Sequence, residues 1–208
     1  MKKPKLLILF TSFLLMITAH CFSWPVPHTG QTKCYDGNRE IPCPQRGEAY
    51  YGQDAQYVIN KRSYTKLDEY GNQLPNSASH WVMVRDNVTG LIWEVKTSDT
   101  SIHGKERKFT WEEAQTSFIK KLNRMRFGGF SDWRIPEIKE LASISNKGKY
   151  NPAIDTGLFP NTMSAFYWSS TSGARKPTVA WGVDFYYGGG NDYAKSSMYY
   201  VRAVRSGQ

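Results

Sequence analysis

Apolar positions fall into three regimes along this chain. Residues 6–19 form a continuous apolar run broken only by Thr and Ser, and Lys2, Lys3 and Lys5 precede it. That run is shorter than the ~20 residues a spanning helix needs, and the order of basic, apolar and small residues is that of an export signal. Residues 24–60 show little period and are rich in Pro, Gly, Gln and Tyr, Tyr64-Thr65-Lys66-Leu67 is a strand candidate before a turn at 70–72, and 24–75 is expected as a loop-rich leader. From residue 76 the pattern becomes regular. Trp81-Val82-Met83-Val84 and Leu91-Ile92-Trp93-Glu94-Val95 flank the turn cluster 85–90, which predicts a hairpin. Trp111, Ala114, Phe118, Ile119, Leu122 and Met125 recur at helical spacing behind a Thr110/Glu113 capping box, and Gly128-Gly129 stops the helix. A shorter helix is expected from Pro136, with Ile138, Leu141 and Ala142 facing inward. Residues 165–169, 179–185 and 199–204 are further strand candidates. Two helices between strands make an α+β domain over 76–208.

Charge and cysteines refine this picture. Cleavage after Ser23, or alternatively after Cys21, removes three Lys and no acid, so the formal +9 becomes +6. A Cys21 lipid anchor is disfavoured by His20, which stands where a small residue is wanted. No second apolar run of spanning length follows, and an exported, soluble mature protein is expected. Its basic balance points to acidic glycans or anionic surfaces, or simply to a solvated face. Nucleic acid is disfavoured because the Lys and Arg are scattered and no reader motif is present. Cys34 and Cys43 remain, and an even pair in an oxidising compartment reads as a disulfide. A metal site there lacks partners, since His28 is the only nearby His and no C-x-x-C occurs. The sequence does not set an oligomeric state.

Seven ordered motifs carry a resemblance. They are Asp86-Asn87-Val88-Thr89-Gly90-Leu91-Ile92-Trp93, Thr110-Trp111-Glu112-Glu113-Ala114, Phe130-Ser131-Asp132-Trp133-Arg134-Ile135-Pro136 and Glu140-Leu141, then Asn151-Pro152-Ala153-Ile154-Asp155, Tyr167-Trp168-Ser169-Ser170-Thr171 and Tyr200-Val201-Arg202-Ala203-Val204-Arg205. Together they resemble the Lcl C-terminal domain family, over about residues 81–208. That family is similar in turn to the formylglycine-generating-enzyme branch of the C-type lectin fold. The resemblance implies a C-type lectin-like domain with a twisted mixed or antiparallel sheet, two helices and long loops. Members include surface adhesins for sulfated glycans.

Catalysis is not expected. The oxidases of that branch need reactive cysteines, and none follows Cys43; the iron-dependent relatives need clustered ligands, while His28, His80 and His103 are scattered. Glu137 and Glu140 share a helix face, but a capping or ion-paired role outweighs an acid–base one. No cofactor or metal is expected; calcium is disfavoured because the lectin sugar-site tripeptides are absent, although Asp184 and Asp192 could ligate it from loops. Trp133 and Trp168 read as core aromatics whose indole N–H groups need partners. Arg134 and Arg202 lie among apolar residues and are expected to pair with carboxylates, with Asp132, Glu140 and Asp155 as candidates.

Residues 184–200 differ from the rest. Thirteen of these seventeen positions are Tyr, Gly, Ser, Asn or Asp. That composition resembles an antibody paratope, in which Tyr supplies rigid contact area and small polar residues adapt around it; a Gly-rich hairpin loop is the plain alternative. Expected ligand-binding residues are Tyr186, Tyr187, Asn191, Asp192, Tyr193, Lys195 and Tyr199, with Arg175 and Lys176 adding charge. The partner would be an anionic glycan or a surface protein. The alternative is a variable binding protein of a diversity-generating retroelement, since adenine randomisation of Asn codons yields much the same residue set.

Overall fold

The computed structural model describes residues 25–207; the expected export signal at 1–23, with Cys21, lies outside them. The fold is α+β. No helix among the described residues is long and apolar enough to cross a membrane.

The leader begins with a two-residue hairpin, β1 (Cys34–Tyr35) against β2 (Glu40–Ile41), closed by the expected Cys34–Cys43 disulfide. It is not a free tether. The Arg62 guanidinium donates to the carbonyls of His28, Thr29 and Ser145 and to the Tyr64 hydroxyl. The Lys147 amide donates to the Thr29 carbonyl at 2.9 Å. Three bonds from one guanidinium gather the leader on itself, and the fourth, with the Lys147 amide, fixes it against the segment that follows the helix Ile138–Ser143.

Two antiparallel sheets build the remainder. The first has the order β3 (Tyr64–Leu67), β4 (Met83–Asp86), β5 (Leu91–Glu94) and β9 (Val204–Ser206). The turn between β4 and β5 works as the motif predicts: the Asp86 carboxylate accepts from the Val88 and Thr89 amides, and Gly90 closes it at φ 75°. The second sheet is β6 (Phe166–Ser172), β7 (Val179–Asp184) and β8 (Gly189–Ala194), paired in that order. Alternation along β6 and β7 sends residues to two cores. Phe166, Trp168 and Ala180 face the longer helical run, whereas Tyr167 and Val183 join Leu141 and Ile144 near α3 (Ile138–Ser143). The Trp133 and Trp168 indoles are buried and satisfied, donating to the carbonyls of Phe127 (2.8 Å) and Phe109 (3.0 Å).

Three expectations are corrected. The helix behind Thr110 is continuous but not uniform: α1 (Trp111–Glu113) passes into a π-helical stretch (Ala114–Ile119) and then α2 (Lys120–Met125). The wider π turn breaks the helical phase, so Met125 leaves the core face and is exposed. Ala142 likewise points outward, because α3 starts at Ile138 and its N-cap is Glu137. Finally, Arg202 forms no salt bridge with a carboxylate among the described residues. Its side chain is fully buried and donates to the Glu94 backbone carbonyl at 2.6 Å and the Thr162 hydroxyl at 2.7 Å. Of the candidate acids, Glu140 pairs in bidentate fashion with Arg134, and Asp132 pairs with Arg205 instead. The distance in sequence between Glu94 and Arg202 hid the true acceptor.

Candidate functional site

The expected binding residues lie along β8 and at its two ends, and the structure separates them into two poles. β8 is an edge strand, bonded to β7 alone within its sheet. Its six residues span about 20 Å at ~3.3 Å each. Gly182 on β7 makes this sheet possible, since a Cβ there would fall on the Tyr167 carbonyl and the Phe166 ring.

At one pole the turn 185–188 carries Tyr186 and Tyr187, each about half exposed. The turn is held from behind. Asn151 donates its amide to the Tyr186 carbonyl, and the Ser145 hydroxyl and Lys147 ammonium both donate to the Gly188 carbonyl. Gly188 adopts φ 78°, and a Cβ there would collide with the Ser145 hydroxyl, so both conformation and space demand glycine.

At the other pole the loop 173–178 presents Arg175 and Lys176, both exposed. Lys195 lies at the same end, its amide bonded to the Thr178 carbonyl. The Lys195 ammonium rests 4.0 Å from the Trp111 ring centroid and donates to Ser172 at 2.7 Å. The segment 107–111 runs alongside: Phe109 and Tyr199 exchange two backbone hydrogen bonds, and the Trp111 amide donates to the Lys195 carbonyl. This brings in Arg107, over the Phe109 ring, and Lys108, over the Tyr200 ring. Arg175, Lys176 and Lys195 thus share one end of the sheet, Arg107 and Lys108 line the adjoining 107–111 segment, and none of the five forms a salt bridge among the described residues.

Between the poles sit Asn191, Asp192 and Tyr193. Asn191 accepts from the Asp192 amide, and Asp192 lies opposite Trp181 in the β7–β8 register. Tyr193 and Tyr199 are not free stacking platforms. They pack in a cluster with Phe166 at centroid separations of 4.8 Å, and with each other at 5.0 Å. Only their outer edges reach solvent.

The loop that delivers Arg107 and Lys108 is anchored by a buried charged cluster. Glu94 and Lys96 are almost fully buried, and one Glu94 oxygen accepts from Lys96 Nζ at 3.1 Å and lies 2.8 Å from His103 Nδ1. Its other oxygen accepts the Ala203 amide at 3.0 Å. Burial works to raise the Glu94 carboxyl, yet Lys96, His103 and the Ala203 amide outweigh it and hold the group below its ordinary value. Further out, hydrogen bonds from the Ser101 and Thr97 hydroxyls and the Ser101 amide bring Asp99 down to about 2, so the loop is capped by a firmly ionised carboxylate.

Sequence reasoning missed this cluster, the strand nature of 189–194, Arg107 and Lys108, and the exposed Trp181. Glu94 and Lys96 on one face of a strand were a readable sign of a buried pair. Arg107 and Lys108 were not findable, because only the Phe109–Tyr199 bridge connects them to β8. Glu137 and Glu140 act structurally: the Glu137 amide donates to Glu140, which also holds Arg134. Among the described residues no three His, Cys, Asp or Glu side chains gather as a metal site. Residues 82–205 match the Lcl C-terminal domain. No curated protein matches the chain.

Proposed function

The chain belongs to the Lcl C-terminal domain family, and on that premise we propose that it is an exported, non-catalytic binding protein for a sulfated or otherwise acidic glycan. The carrying observation is the set of five cations without a salt bridge among the described residues, Arg175, Lys176 and Lys195 at one end of β8 and Arg107 and Lys108 on the segment beside it, three of them seated on aromatic rings. A cation resting on a ring is held in place yet keeps its field directed outward, which suits a sulfate or carboxylate on a sugar.

The separation of the poles argues for a polymer. A single sugar cannot reach from Lys195 to Tyr186, but a glycan chain lying along β8 meets the cations first and the two tyrosines last. Tyr186 and Tyr187 then offer flat contact area at low entropic cost. A second basic surface, Lys120, Lys121 and Arg124 on α2, lies exposed without acidic partners among the described residues and would reinforce long-range attraction. The disulfide accords with an oxidising compartment.

Heparin binding measured across a series of NaCl concentrations tests this reading. Affinity should fall steeply with salt, because exposed charges are screened within ~8–10 Å at physiological ionic strength. Salt-insensitive binding, or none at low salt, overturns it.

A further inference from the structure

The leader and α3 enclose a cleft of about 730 Å³ that neither the family match nor the glycan reading uses. Its size falls in the ~300–1,000 Å³ range of small-molecule sites, which favour junctions between packed units. One wall is Pro25, Val26 and Pro27 of the leader; the other includes Leu91 of β5 and the outward-facing Ala142 of α3. The leader wall lies outside residues 82–205, so the cleft is a feature of this chain beyond its family domain.

The polar groups around it are mostly committed elsewhere. Ser143 donates to the Glu140 carbonyl, Ser145 to the Gly188 carbonyl, Thr29 to Asp54, and Arg134 and Glu140 close on each other. The surface left to a ligand is therefore largely apolar, apart from its cations, the Glu137 carboxylate at α3's start and the Thr89 hydroxyl. Arg62 and Lys147 both line the cleft, and the side-chain hydrogen bonds of both go only to neutral oxygens: three carbonyls and a phenol for Arg62, one carbonyl for Lys147. Neither has a carboxylate partner among the described residues. Lys147 spends one of its three N–H donors, leaving two. Burial first, then the charge of Arg62, lowers the Lys147 pKa, as expected of a cation lacking a counter-charge.

We propose that this cleft binds a single-chain amphiphile with one anionic head, a long-chain fatty carboxylate. The alkyl chain lies between Pro25–Pro27 and Ala142, and the carboxylate accepts from Lys147 within the field of Arg62. Such a head supplies the missing counter-charge, while the chain removes apolar wall from water.

Dodecanoate titrated into the purified protein by calorimetry tests this, with dodecyltrimethylammonium as the cationic counterpart and dodecanol as the neutral one. Saturable one-to-one binding of dodecanoate is expected, with none of the cation. Lys147→Gln should weaken dodecanoate by about tenfold, the worth of one charge-assisted hydrogen bond, and leave dodecanol unchanged. Ala142→Trp should fill the cleft and abolish binding of both. In wild-type protein, a diazirine-bearing fatty acid should label residues 25–27 or 137–147 on irradiation, which locates the chain even if Ala142→Trp fails to fold. Absence of saturable binding, equal binding of the cation, or labelling elsewhere overturns the proposal. Heparin should not compete with dodecanoate; competition would mean that the fatty acid occupies the β8 surface instead, and would overturn it equally. Loss of heparin binding alone would leave this cleft untouched and count only against the glycan reading.

Discussion

Replacing Glu94 by Gln perturbs the buried cluster beneath the cationic loop while preserving its shape. The carboxylate makes three close contacts: with Lys96 Nζ at 3.1 Å, with His103 Nδ1 at 2.8 Å and with the Ala203 amide at 3.0 Å. Gln keeps one acceptor oxygen but removes the charge, leaving Lys96 and Arg202 buried without a nearby anion. Breaking a buried pair from one side costs about 3–5 kcal/mol, and the retained acceptor places this variant near the lower figure. For a protein of this size about 1 kcal/mol corresponds to ~2–4 °C, so a melting temperature about 6–12 °C lower is expected at pH 7. The pH dependence carries a sign. Glu94 is depressed in the folded state, so its contribution is present above the ordinary carboxylate value and lost as pH falls through the lower folded one. The difference between wild type and Glu94→Gln should therefore shrink on acidification through that window. Calorimetric melting over a pH series reads both effects. A loss below about 2 °C at pH 7 would show that the cluster contributes little, and a difference independent of pH would remove the ionised carboxylate from the explanation. Glu94→Leu combined with Lys96→Met should recover only part of the loss, since the apolar pair needs no counter-charge but leaves the Ala203 amide without its acceptor.

Three further outcomes follow from the same geometry. Gly182→Ala should prevent folding or cost more than about 3 kcal/mol, because the new methyl meets the Tyr167 carbonyl as well as the Phe166 ring; a normal near-UV circular dichroism spectrum and melting curve would refute the close approach of β6 and β7. Arg62→Ala should strand the carbonyls of His28, Thr29 and Ser145, cost at least about 2 kcal/mol, and speed hydrogen exchange of amides 26–33; unchanged exchange there would mean that the leader is held by other contacts. Asp192→Asn removes the carboxylate lying midway along β8 and should strengthen heparin binding about two- to fivefold at low salt, an effect that fades as salt rises; unchanged affinity at low salt would place the glycan elsewhere.

What the sequence disclosed is what local chemistry determines. The Thr110/Glu113 capping box, the Asp86 turn, the Cys34–Cys43 staple and the Arg134–Glu140 pair all join residues close in sequence, where spacing is enough to read them. The β-rich apolar runs flanking turn residues likewise revealed β4, β5 and most of β6 and β7. The strand 189–194 escaped because Gly189-Gly190-Asn191-Asp192 has low strand propensity, and it forms only because β7 offers it a complete edge. Arg202 was assigned an acid on the rule that buried cations need anions, whereas a backbone carbonyl contributed by Glu94, 108 residues away, serves it. The expected binding residues were legible by type but not by place. Composition singled out Tyr186, Tyr187 and Lys195, yet no periodicity told that the length of β8 parts them, or that the segment 107–111 runs beside Tyr199 and Lys195.

The central claim is that the cations at the end of β8 hold an acidic glycan. Its most direct test compares Arg107→Gln/Lys108→Gln/Lys195→Gln with Lys120→Gln/Lys121→Gln/Arg124→Gln, which remove equal charge from the β8 end and from α2. Heparin affinity at low salt should fall about 10- to 100-fold in the first, with a shallower salt dependence, and no more than about fivefold in the second. Equal losses in the two variants would reduce the interaction to net charge, and a larger loss in the second would move the binding site from β8 to α2.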